Sequence, residues 1–124
     1  MAAAAFDSEW ARSLVGKTVF VELDVFEADD ERHERPELAD FYGTIDQVTE
    51  RAGVVIHVRG SPSQAEHAVP WQAFKRFYAP ASPRRYVVRQ TGEAVSNPDF
   101  FAKLWATKSK QNQADIDFKG FSDN

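Results

Sequence analysis

Hydrophobic and polar residues alternate through most of this chain with a period of two, the spacing of side chains on a strand. From Lys17 to Phe26, residues Val19, Val21, Leu23 and Val25 share one face while Glu22 and Asp24 lie on the other, which predicts a half-buried strand. Phe41 to Thr49 resumes the pattern, with Gly43 expected at a bulge or bend. Glu50-Arg51-Ala52-Gly53 connects it tightly to Val54 to Arg59, predicting a hairpin with Val54, Ile56 and Val58 inward and Val55, His57 and Arg59 outward. Ala68-Val69-Pro70 reads as a strand stub stopped by proline, and Arg76 to Tyr78 as another short strand. Tyr86 to Gln90 meets Thr91-Gly92 and returns through Glu93 to Val95, a second hairpin.

Helical signals are few. Asp7 is placed to cap a short helix through Val15, with Trp10 and Leu14 on one face and Gly16 as its stop. Trp71 to Phe74, following Pro70, predicts a single helical turn. Asn97-Pro98-Asp99 permits either a capped helix or a turn into a strand over Phe101 to Thr107. The alternation of Phe101, Lys103, Trp105 and Thr107 with Ala102, Leu104 and Ala106 favours the strand. Gly60 to Ser63 reads as a loop, and so does the charged stretch Glu27 to Ala39, which contains Pro36. After residue 107 the chain turns polar and loses periodicity, so residues 108–124 are expected to form a flexible tail on a single domain spanning 1–107.

Six or seven short strands with little helix predict a mainly β fold, either a small barrel or a strongly bent antiparallel sheet. Gly16-Lys17, an alternating strand, a hairpin with Gly43 near its middle, a Val-rich strand and a one-turn helix at Pro70-Trp71 follow one another between residues 14 and 80. That order resembles SH3-like and Sm-like small barrels. The resemblance implies architecture alone, because such folds host peptide, RNA and protein partners alike. The segment from Tyr86 to Asp99 is similar to a recurrent ending of small bacterial proteins, some of which resemble members of toxin and immunity loci, and brings no functional residue with it.

Length and composition fit this picture. The 124 residues suit one domain, and sixteen aromatic residues, ten of them Phe, supply a core. No cysteine is present, which fits a reducing compartment, and Met1 to Phe6 lacks the basic start of a secretory signal. No apolar run approaches the length of a membrane span, so the cytoplasm is the expected location.

Charge changes the picture more. Nine of the nineteen acidic residues fall between Glu22 and Asp40 against only Arg32 and Arg35, so this stretch carries seven net negative charges while the remainder is net +3. An uneven field of this kind steers partners. Glu27, Asp29, Asp30, Glu31, Glu34 and Glu37 are therefore candidate partner-binding residues, whose alternative role is to solvate a loop; Trp71, next to a helical turn, is a candidate anchor or a core residue. The opposite pole contains Lys75, Arg76, Arg84, Arg85 and Arg89 with Phe77, Tyr78 and Tyr86 interleaved, and no acid from Ala68 to Gly92. Bases among aromatics suit a phosphate backbone and its nucleobases. Lys75, Arg76, Tyr78, Arg84, Arg85 and Arg89 are accordingly candidates for nucleic-acid contact.

Catalytic signals are missing. His33, His57 and His67 lack the pairing of a metal site, the acidic stretch lacks the ligand spacing of a calcium loop, and no phosphate-cradling or nucleophile motif occurs. The expectation is a protein without cofactor or metal that binds another macromolecule, in particular a bacterial immunity or inhibitor protein that blocks a basic toxin. Binding of RNA or a peptide through residues 75–89 is the first alternative, and a subunit that pairs sheet edges into a homo-oligomer is the second.

Overall fold

The computed structural model describes residues 5–27, 36–59, 66–108 and 116–121. Helix α1 (Ser8–Leu14) begins where Asp7 accepts hydrogen bonds from the backbone N–H groups of Glu9 and Trp10, and buries Ala11 and Leu14. Strand β1 (Thr18–Phe26) follows, then β2 (Glu37–Leu38), β3 (Phe41–Thr49), β4 (Gly53–Val58) and β5 (Glu66–Val69). The one-turn helix α2 (Trp71–Phe74) leads to β6 (Arg85–Val87), β7 (Ala94–Ser96), β8 (Phe100–Lys108) and β9 (Ile116–Phe121).

The main sheet runs β5-β4-β3-β1-β8-β9, with β2 added beside β1, and curls into a half-barrel; β6 and β7 form a separate hairpin. The expected mainly β, strongly bent architecture is what the chain adopts. One pairing departs from the antiparallel expectation: β1 and β8 run parallel, from Val19 opposite Phe100 to Phe26 opposite Thr107. A period of two is common to both strand senses, so the pattern alone does not separate them. The register is fixed at its start by Asp99, whose carboxylate accepts hydrogen bonds from the backbone N–H and the hydroxyl of Thr18.

Inside the curl, Val19, Val21, Leu23 and Val25 meet Leu14 of α1, Trp71 and Phe74 of α2, and Ala102, Leu104 and Ala106 of β8. Each such aliphatic side chain taken from water is worth roughly 1.5–3 kcal/mol, so this inner face dominates the folding energy. On the outer face Phe20, Phe101 and Val88 make a second cluster with Tyr42, Tyr86 and Val95 packed against it, because the β6–β7 hairpin lies over the sheet there. Phe20 is therefore buried beyond the simple alternation, and Val55, expected to face outward, is buried as well.

Three further expectations are revised. The bulge in β3 falls between Ile45 and Gln47, not at Gly43; Gly43 is needed instead because a Cβ there would collide with the His57 carbonyl across the hairpin. Residues 76–78 contribute a single bridge, Tyr78 to Phe101, rather than a strand. Within the stretch expected to be tail, β9 pairs antiparallel with β8 from Leu104 opposite Phe121 to Lys108 opposite Ile116. Ile116 and Phe118 alternate with Asp117 and Lys119, but Gly120 ends the pattern after two apolar positions and a polar run precedes it, too little to register as a strand.

Candidate functional site

The acidic segment has its root in the sheet. Beyond β1 the chain returns as β2, with Asp24 opposite Leu38 and Val25 opposite Glu37, so Glu27–Glu37 is bracketed by paired strands rather than by loop on both sides. Glu27 and Glu37 are exposed; Asp29, Asp30, Glu31 and Glu34 lie outside the described residues.

Arg89 binds the base of this segment. Its guanidinium meets Asp40 as a two-pronged fork, Nε to Oδ2 at 2.8 Å and Nη2 to Oδ1 at 2.7 Å, and reaches Asp24 at 2.8 Å and Glu22 at 3.5 Å. The Asp40 side chain is 0% exposed and also accepts from the backbone N–H groups of Leu23 and Arg89. Gln90 adds a reciprocal pair with the Asp40 backbone, receiving its N–H and donating to its carbonyl. The Asp40 hydrogen bonds, with Asp24 beside them, hold the Arg89 guanidinium well above its ordinary pKa despite partial burial.

Two corrections follow. Arg89 is committed to the chain's own carboxylates and does not belong to a nucleic-acid face. Glu22, Asp24 and Asp40 gather on this single guanidinium, which offsets one of their three charges and leaves two at the root of the segment. The remaining six acids of the stretch, against Arg32 and Arg35, still leave four net negative charges between Glu27 and Glu37.

The other basic candidates are divided among different surroundings. Lys75 Nζ stands 5.1 Å from the Trp10 ring and 5.2 Å from the Trp71 ring, on the α1–α2 side. Arg76 lies over Phe121 at 4.3 Å and Arg84 is 6.0 Å from Tyr86. Arg85 is exposed on β6. Arg76, Tyr78, Phe101, Ala102, Lys103 and Phe121 line a cleft of about 270 Å³, and Pro83, Arg84, Arg85, Ser96 and Asn97 a smaller one of about 190 Å³.

Between the clefts, Tyr86 stacks on Phe101 at 4.3 Å and on Phe20 at 5.3 Å. The Tyr86 hydroxyl is buried within electrostatic reach of Arg84 and Tyr78, yet its geometry satisfies no hydrogen bond among the described residues. Burial of the Tyr78 hydroxyl, reinforced by the Tyr86 hydroxyl, pushes the Tyr78 phenol up to about 12, although the residue as a whole is 51% exposed.

Trp71 belongs to the core. Its ring is 5% exposed and packs edge-on against Phe6 and Trp10, so the area that an interface anchor needs is already buried by the chain itself. His57 is half-buried on β4, and His67 stacks on Phe41 at 4.2 Å. His33 lies outside the described residues. No cluster of three or more metal-ligating side chains occurs among the described residues, and no helix there is long and apolar enough to cross a membrane.

The sequence pointed to both charged poles but missed the partnership of Asp40 with Arg89, which lie 49 positions apart. One local signal for it exists: Asp40 stands between Ala39 and Phe41 at a strand entrance, where an acid is buried only with a partner. No family model matches this chain, and neither a curated protein nor a solved structure matches it.

Proposed function

We propose that this chain is a non-enzymatic binding protein whose acidic segment Glu27–Glu37 docks on a basic protein surface, as an immunity or inhibitor protein does when it occludes a toxin's cleft. The observation that carries this reading is the way charge is sorted. The carboxylates at the root of the segment are gathered on Arg89, which offsets one of their three charges, whereas the net charge of the segment itself stays strongly negative, and its two flanks are held by β1–β2 pairing and by the buried Asp40. Held flanks limit the ordering entropy lost on docking, and concentrated charge accelerates encounter.

In this mechanism Asp29, Asp30, Glu31 and Glu34 pair with lysines and arginines of the partner and block access to its substrate. The partner to test is a basic domain encoded beside this chain's gene. Reversing those four acids to lysine should slow association by at least about tenfold at low salt and converge with the unaltered protein at high salt, as measured by stopped-flow fluorescence. Equal association rates at low salt would remove this face from the mechanism.

A further inference from the structure

The opposite pole has features that the acidic segment does not account for. Arg76, Arg84 and Arg85 are exposed, and among the described residues none of the three makes an ion pair. Tyr78 projects beside them with half of its surface in water, although its backbone is pinned to Phe101 through two hydrogen bonds of 3.1 and 2.9 Å. An exposed ring on a fixed backbone is a platform whose ordering has already been met by folding. The cleft under Arg76 and Tyr78 and the cleft under Arg84 and Arg85 flank this platform, and Arg84 lies within charge reach of the Tyr78 phenol.

We propose that the surface formed by Arg76, Tyr78, Arg84 and Arg85 binds single-stranded nucleic acid, with a base stacked on Tyr78 and the backbone phosphates paired with the three arginines. A duplex keeps its bases stacked on one another and offers none to the ring. Each cleft is smaller than the roughly 300–1,000 Å³ of a pocket that encloses a small molecule, so two shallow clefts joined by a ring suit a strand that runs across both better than one enclosed nucleotide. An acidic peptide would satisfy the arginines but make no use of the Tyr78 face. Lys75 and Arg89 are outside this surface, one over Trp10 and Trp71 and the other on Asp40. The two poles share no residue, so failure of one binding activity leaves the other intact.

The test is fluorescence anisotropy of the full chain with a labelled oligouridylate of about ten nucleotides, within the site sizes that single-strand binders cover. Binding at low salt should weaken with a log–log slope of about −2, as three phosphate contacts predict at about 0.7 each. Tyr78→Ala should lower affinity about tenfold while Tyr78→Phe, which keeps the ring, retains it. Arg76→Ala and Arg84→Ala should each flatten the salt slope by about 0.7, and Arg51→Ala, on the turn between β3 and β4, should change neither quantity. The proposal is overturned by absence of binding at low salt, by a Tyr78→Ala protein that binds as tightly as the original, or by a polyglutamate peptide that binds as well as the oligonucleotide.

Discussion

Asp40 and Arg89 form the most concentrated set of polar contacts in the described structure, and they join parts of the chain that are distant in sequence. Removing Arg89 would strand a carboxylate that has no exposed surface. Loss of one partner from a buried pair costs about 3–5 kcal/mol, and because the Arg89 side chain is 31% exposed we expect the low end, about 3 kcal/mol, from Arg89→Ala in a urea-unfolding experiment. A cost below about 0.5 kcal/mol would show the contact to be ornamental. Sequence reading placed this arginine in the basic pole because pattern reports neighbours along the chain, whereas the partner is set by how a hairpin folds over a sheet. By contrast, the Asp7 cap and the turn after Pro70 were legible, since each depends on residues within four positions.

His67 supplies a second test at the same scale. Burial against Phe41 lowers its pKa below the ordinary 6.5, so the folded chain binds this proton less readily than the unfolded chain. Stability therefore rises with pH up to about 6.5 and is lost as pH falls below that value. His67→Phe, which preserves a ring for stacking, should show a smaller drop in melting temperature than the unaltered protein between about pH 7.5 and about pH 5.5. Identical drops would mean that other groups govern this window.

Among elements, β3 and β4 show how closely two strands approach. Gly43 has the His57 backbone carbonyl where a side chain would begin, with the buried Ile56 Cγ2 beside it, so a Cβ could be fitted only by shifting the neighbouring strand. Gly43→Ala should destabilise the protein by about 3 kcal/mol, the upper part of the usual range for overpacking, read as a shift in the thermal midpoint. Tolerance of alanine there would mean that the hairpin can splay. The positions of β1, β3, β4 and β8 were readable because alternation persists through each of them. Strand β9 was not, because its support comes from pairing with β8 rather than from its own pattern. The parallel sense of β1 and β8 was invisible for a related reason: side chains alternate identically whichever way a neighbour runs.

At the scale of the whole molecule, charge is sorted into separate regions rather than spread evenly. An acidic segment leaves the sheet from the end of β1, while the arginines on the other pole lie near the start of β8 and the β6–β7 hairpin. Composition revealed that asymmetry, but only the fold shows which charges cancel internally and which face outward. Added salt should therefore weaken both proposed binding activities, while Asp40 and its arginine, drier than any surface pair, respond much less.

The pairing of β1 with β8 also bears on how the protein comes to be made. Val19 meets Phe100 only after 81 intervening steps of chain, so a central seam of the sheet is among the last to close. During synthesis β1 emerges well before β8, so its Val-rich face lacks the cover of Ala102, Leu104 and Ala106 until residues 100–108 have left the ribosome. Topologies dominated by such remote contacts fold in roughly milliseconds to seconds rather than microseconds, and that delay is when a nascent chain of this design is most exposed to aggregation and to chaperones.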